Sequence, residues 1–185
     1  LKDALYWIPI ILLFTGIRLE EATELFIEDI ITDLSTDIIY FDINENHHKR
    51  LKTEASPRKI PIPKKLIELG FLDYVQKNKR NRQLFERELT VSKAKGKETF
   101  SKNVSKNLNR MLQINGINNN GGKKSLHSFR HNFVDATRKA NIHPDIMKML
   151  SGHKRDGVIG GYGNDPMLKE KKEALDKLIF AGFPL

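Results

Sequence analysis

Residues 3–14 (Asp-Ala-Leu-Tyr-Trp-Ile-Pro-Ile-Ile-Leu-Leu-Phe) are apolar almost all the way round. A helix with no polar face has to be enclosed by the rest of its protein. The unbroken apolar run, Ile8 to Phe14 with Pro9 inside it, is too short to span a bilayer. The 185 residues suffice for one domain with a real core, so the remaining elements are expected to wrap this segment. Thr15-Gly16 breaks it, and a second helix is expected from Arg18 to about Phe26, with Glu20, Glu21 and Glu24 favoured by its positive end. Glu28-Asp29-Ile30 closes that unit.

Further along, Asp37 to Ile43 alternates and is rich in β-branched and aromatic residues, which predicts a strand. Two short strands, 49–53 and 58–62, flank Glu54-Ala55-Ser56-Pro57, giving a small antiparallel sheet beside a helical body. Pro61 and Pro63 end the sheet, and residues 64–78 form a helical stretch that Gly70 divides. Residues 77–82 are a basic loop, and 86–98 are charged and aperiodic, an exposed connection. A helix over Ser101–Ile114 puts Val104, Leu108, Met111 and Leu112 on one side and Lys102, Lys106 and Arg110 in a stripe on another. That stripe is either a solvated face or a contact with a DNA backbone. After an Asn-Gly loop at 115–124 come helices over 127–140, 145–151 and 167–180, the last followed by an apolar tail at 181–185. The tail is expected to lie against a partner or a neighbouring groove.

Lys and Arg exceed Asp and Glu by 32 to 23, a net charge of +9 that favours a polyanionic partner, most simply nucleic acid. Without cysteine, disulfides, thiolate metal sites and thiol catalysis are excluded, which fits a reducing cytoplasm. Neither a basic leader with a cleavage site nor a membrane span is expected, and the start at Leu1 suggests a fragment lacking an N-terminal part.

Chemistry concentrates in Leu126–Tyr162. His127 and Arg130 are three apart and so share a helix face. His153 follows Gly152, and Tyr162 stands among glycines at 160, 161 and 163, which predicts a mobile tyrosine rather than a core one. For attack on a phosphodiester, the needs are positioning and stabilisation of charge on the phosphate oxygens. Arginine is forked to match two such oxygens, and a phenol must lose its proton while the leaving sugar oxygen gains one. Arg18 after a tight turn and Lys52 at a hairpin complete the set.

In these boxes the chain resembles the catalytic domain of the tyrosine recombinases, the phage-integrase family. Thr15-Gly16-Ile17-Arg18-Leu19-Glu20-Glu21 resembles the first arginine box, and Lys52 to Pro61 the lysine hairpin. Leu126-His127-Ser128-Phe129-Arg130-His131 resembles the His-x-x-Arg box, and Leu150-Ser151-Gly152-His153 the Leu-Gly-His box, with Ser151 where a small residue is usual. Tyr162 follows His153 by 162 − 153 = 9 positions, the family's spacing. Any single box has a bland reading: a surface Arg18–Glu21 pair, an exposed Lys52, a His127/His131 metal pair, a capping His153. Their occurrence together and in order is what outweighs those readings.

The resemblance implies a mainly helical α+β fold with one small antiparallel sheet, the DNA breaking-rejoining fold, over 1–185. The N-terminal DNA-binding domain is expected to be absent, and 167–185 to form a C-terminal helix and tail. It implies that Arg18 and Arg130 clamp the scissile phosphate, that His127 hydrogen-bonds it and accepts the tyrosine proton, and that His153 donates to it. Lys52 would protonate the departing 5′ oxygen and Tyr162 would become a 3′-phosphotyrosine, with Glu21 and His131 orienting Arg18 and the helix. No metal or other cofactor is implied. The partners would be double-stranded DNA and further copies in a tetrameric synapse joined through the C-terminal segment, in the cytoplasm at the nucleoid. Type IB topoisomerases resemble these enzymes in chemistry. The rivals are a catalytically silent DNA-binding member of the same fold and a metal-dependent nuclease.

Overall fold

The computed structural model describes residues 2–46, 57–86, 88–89, 92–94, 97–117, 125–153 and 167–183. In chain order the elements are helices α1 (Lys2–Thr15) and α2 (Leu19–Thr23), then strands β1 (Ile30–Thr32), β2 (Ile39–Ile43) and β3 (Arg58–Pro61). Helices α3 (Lys64–Glu68) and α4 (Phe71–Lys77) follow, then strands β4 (Ser92–Ala94) and β5 (Lys97–Thr99). Helices α5 (Ser101–Ile114), α6 (Leu126–Lys139), α7 (Pro144–Ser151) and α8 (Leu168–Asp176) complete the chain.

Enclosure of α1 is the organising fact. Ala4, Ile8, Ile11 and Leu12 are buried, and α6, α2, α3 and α5 pack around the helix. Pro9 lies inside it. Proline in a helix interior costs about 3 kcal/mol, but burying Ile8, Ile11 and Leu12 gains roughly 2 kcal/mol for each side chain, so packing wins. Trp7 meets the rings of Phe71 and Tyr74 at 5.1 and 5.8 Å. Gly70, at φ 86°, separates α3 from α4, as its place in the sequence predicts.

The sheet is antiparallel in the order β1-β2-β3. Phe41 stands opposite both Ile30 and Ile60, and Phe41 and Ile60 are fully buried. Strand β3 carries α7 and α8 against it. The Lys171 ammonium donates to the Lys59 carbonyl at 3.3 Å, and the Lys64 amide to Asp176 Oδ1 at 2.7 Å.

Several expectations are corrected. Helix α2 stops at Thr23, because the chain turns so that Phe26 can bridge Gln83. Ile30–Thr32 is an edge strand rather than the close of a helical unit, because β2 offers it a partner. The charged stretch expected to be a connection holds β4 and most of β5, an antiparallel pair with Ser92 opposite Thr99 whose backbone pairing does not depend on apolar alternation. Helix α8 ends at Asp176. Of the two placements expected for the tail, the one against its own chain is seen as far as Phe183: Phe180 and Phe183 reach the Phe14 ring at 4.7 and 5.1 Å. Met111 is 44% exposed, as α5 runs beyond the core at its C-terminal end. The strand expected at 49–53 lies outside the described residues. No described helix is long and apolar enough to cross a membrane.

Candidate active site

Two tight turns and one helix stripe build the site. After α1 the chain reverses at Gly16, whose φ is 69° and where an added Cβ would sit 2.3 Å from the Phe133 ring. Only glycine meets both conditions, and the turn sets Arg18 at the start of α2. On α6 the buried positions are Leu126, Arg130, Phe133, Ala136 and Thr137, a helical stripe. Arg130 therefore points into the protein, and Phe133 holds its helix against Gly16. At the end of α7, Gly152 adopts φ 65° and its amide, with that of His153, caps the Lys148 carbonyl. That left-handed turn leaves the last carbonyls of α7 pointing outward.

Those carbonyls collect three arginines. Arg58 Nε donates to Leu150 O at 2.8 Å, Arg130 Nη2 to Ser151 O, and Arg18 Nη2 to Gly152 O at 2.8 Å. Arg130 Nη1 also donates to Gly16 O, tying both turns to one guanidinium. The negative end of α7 favours such cations. Glu21 joins two of them: it accepts from the Arg18 amide and Nη1 at 2.7 and 2.8 Å, and from Arg58 Nη1 and Nη2 at 3.0 and 2.7 Å. The forked pair with Arg58 is buried, at 5% and 4% side-chain exposure.

Ionisation follows from this packing. Burial alone would raise the Glu21 carboxyl, but the bonds and charge of Arg58, then of Arg18, outweigh it and hold it below the usual carboxylate range. Burial, helped by the Arg18 charge and opposed by Glu21, pushes Arg130 down to about 10, still protonated at neutral pH. A guanidinium has five donors. Two on Arg130 go to the Gly16 and Ser151 carbonyls, which leaves capacity for an anion. His153 is lowered by partial desolvation and then by the charges of Arg130, Arg18, Arg58 and Lys148, which favours its neutral imidazole.

Of the residues expected at the site, the structure therefore brings Arg18, Glu21, Arg130 and His153 together. His127 lies exposed at the start of α6, one turn before Arg130, with its ring edge-on to that of exposed His131 at 4.6 Å. No group of three metal-ligating side chains occurs among the described residues. Lys52 and Tyr162 lie outside the described residues. Lys102, Lys106 and Arg110 are exposed along α5, away from Val104 and Leu108; Lys106 and Arg110 line an open groove with Asn103, Asn107 and Gln113. Sequence reasoning missed Arg58. A signal existed, since Arg58 alternates with fully buried Ile60 on β3 and so shares its core-facing side.

Comparison with known proteins agrees with this geometry. Residues 5–167 match the model of the phage integrase family. No curated protein matches. Among solved structures, an integrase from mycobacterium phage Brujita is similar over 96% of this chain and 52% of its own, with 15% identity and a TM-score of 0.63. A XerH site-specific recombinase, bound to a palindromic difH substrate in a post-cleavage complex, is similar over 82% of this chain and 39% of its own, with 20% identity and a TM-score of 0.51. The chain thus spans about half or less of the length of these two structures. At such identities the likeness concerns the fold.

Proposed function

The chain belongs to the phage integrase family, and from that premise we propose that it is the catalytic part of a site-specific DNA recombinase of a prophage or other mobile element. It cleaves and rejoins DNA through a covalent 3′-phosphotyrosine at Tyr162. The observation that carries this is the convergence of Arg18 and Arg130, from boxes far apart in the chain, on adjoining carbonyls beside His153. Preorganised cations of this kind stabilise the charge that develops on a phosphoryl group, and removing one such donor typically costs on the order of a hundredfold or more in rate. In this reading Arg18 and Arg130 grip the phosphate, with His127 beside it. Lys52 protonates the leaving 5′ oxygen, and the chemistry needs no metal. Glu21 orients Arg18, a role supported by its bonds to the Arg18 amide and guanidinium. His131 steadies His127 through their ring contact.

The same proposal includes an N-terminal DNA-binding part outside this chain, work on double-stranded DNA in the cytoplasm, and a tetramer assembled on DNA through residues 167–185. The test is incubation with nicked DNA carrying the cognate core site. The expected result is a covalent adduct that persists in chelator and disappears in Tyr162→Phe. Binding of the correct site without adduct would instead identify a silent DNA-binding member of the fold. Adduct or cleavage abolished by chelation would point to a metal-dependent nuclease.

A further inference from the structure

Ser151 stands where the resemblance leads one to expect a glycine or another small residue, and its hydroxyl has specific partners. The side chain is fully buried. Its Oγ lies 2.7 Å from the Met147 carbonyl, 3.4 Å from that of Lys148, and 2.7 Å from His153 Nδ1. A hydroxyl has one proton and a carbonyl none. Two oxygens at 2.7 Å repel unless a proton lies between them, so the Ser151 proton points to Met147. The hydroxyl then offers His153 only a lone pair, and Nδ1 must be the donor.

We propose that Ser151 holds His153 in the Nδ1–H tautomer, so that Nε2 carries the lone pair and His153 enters the reaction as a proton acceptor. This reverses the donor role implied by the resemblance for His153, and moves to it the acceptance of the tyrosine proton that the resemblance gives to His127. The charged groups that bear on the ring are Arg130 from α6, Arg18 at the start of α2, Arg58 from β3 and Lys148 from α7. All are cationic and favour the neutral ring. The chemical half of the proposal rests on the recombinase reading. As the phenol oxygen bonds to phosphorus, its proton passes to His153 Nε2; as the phosphorus–5′ oxygen bond breaks, Lys52 supplies a proton to the leaving oxygen. The diester keeps its single negative charge, and rejoining returns both protons.

Long-range proton–nitrogen NMR of the isotope-labelled chain reads the tautomer directly, above the imidazole titration, with His153→Gln supplying the assignment. The expected result is Nδ1–H in the native chain and a swing toward Nε2–H in both Ser151→Ala and Ser151→Gly. The glycine variant adds no bulk, and unchanged signals from the other histidines report that each variant is folded. A native Nε2–H ring, or an unchanged tautomer in both variants, overturns the proposal. On nicked DNA, native cleavage should rise with pH as His153 loses its proton below 6.5 and then level off. Ser151→Ala should cleave roughly tenfold or more slowly. A switched tautomer with undiminished cleavage removes the acceptor role. Absence of any native adduct removes the recombinase reading and the acceptor role with it, while the spectrum still decides the tautomer.

Discussion

At the scale of single residues, Glu21 and Arg58 show how a cationic site is kept in place. Glu21 is buried between two guanidiniums, and Arg58 reaches from β3 to both Glu21 and the Leu150 carbonyl. It thereby links the first arginine turn, the sheet and the end of α7. Removing one partner of a buried ion pair costs about 3–5 kcal/mol where it strands the other charge. The lower end applies here, because Glu21 keeps its bonds to Arg18. Arg58→Met should lower stability by that order in urea unfolding at neutral pH. The Glu21 carboxyl lies below its ordinary 4.5, so the stability it lends is present above that pH and is lost as pH falls through and below it. The gap between native chain and Arg58→Met should therefore narrow in acid. A gap that stays constant well below 4.5 contradicts the pairing. Little of this was legible beforehand, because an arginine on a four-residue strand carries no local sign of its partner.

Among elements, the decisive join is between the α1–α2 turn and α6. Gly16 satisfies a left-handed backbone and a ring contact at once. Gly16→Ala should lose about 1–2 kcal/mol to the backbone and about 1–3 kcal/mol to overpacking against Phe133. In a double-mutant cycle with Phe133→Leu, only the second cost should be relieved; strictly additive costs would show that the ring and the glycine are not coupled. Element types were largely readable where periodicity is strong, as in α5, α6 and α7, whose expected and observed ranges nearly coincide. They were not readable in β1 and the β4–β5 hairpin. Three-residue strands are defined by their backbone partners, and such partners leave no pattern in side-chain type.

For the whole molecule, the net charge of +9 becomes a surface question. Lys102, Lys106 and Arg110 are all exposed on α5. If they meet phosphates, replacing all three by alanine should reduce the slope of log binding constant against log salt by up to about 0.9 for each phosphate no longer neutralised. An unchanged slope on the cognate duplex would mark the stripe as a solvated face only. The C-terminal segment illustrates a second whole-molecule outcome. An apolar tail calls for a partner or a neighbouring groove, and Phe183, with Phe180 just before the tail, lies against Phe14 of the same chain. Composition shows that such residues leave water but not which surface receives them.

What the amino-acid order determined by itself was the enclosed first helix, the break at Gly16, and a helix carrying His127 and Arg130 one turn apart. Each follows from spacing within a few residues, where neighbours along the chain are neighbours in space. The leading stretch, Leu126–Tyr162, held half of the anion grip in that sense. The shared face expected of His127 and Arg130 is not what the packing gives, since Arg130 is buried and His127 exposed. Tertiary structure alone decided that Arg18, Arg58 and Arg130 would bond three successive carbonyls of one helix end. It also decided that a serine hydroxyl would face an imidazole there. Those bonds join segments whose separation in the chain has no fixed period, and only the packing of α1, α6, α7 and β3 brings them within hydrogen-bond reach.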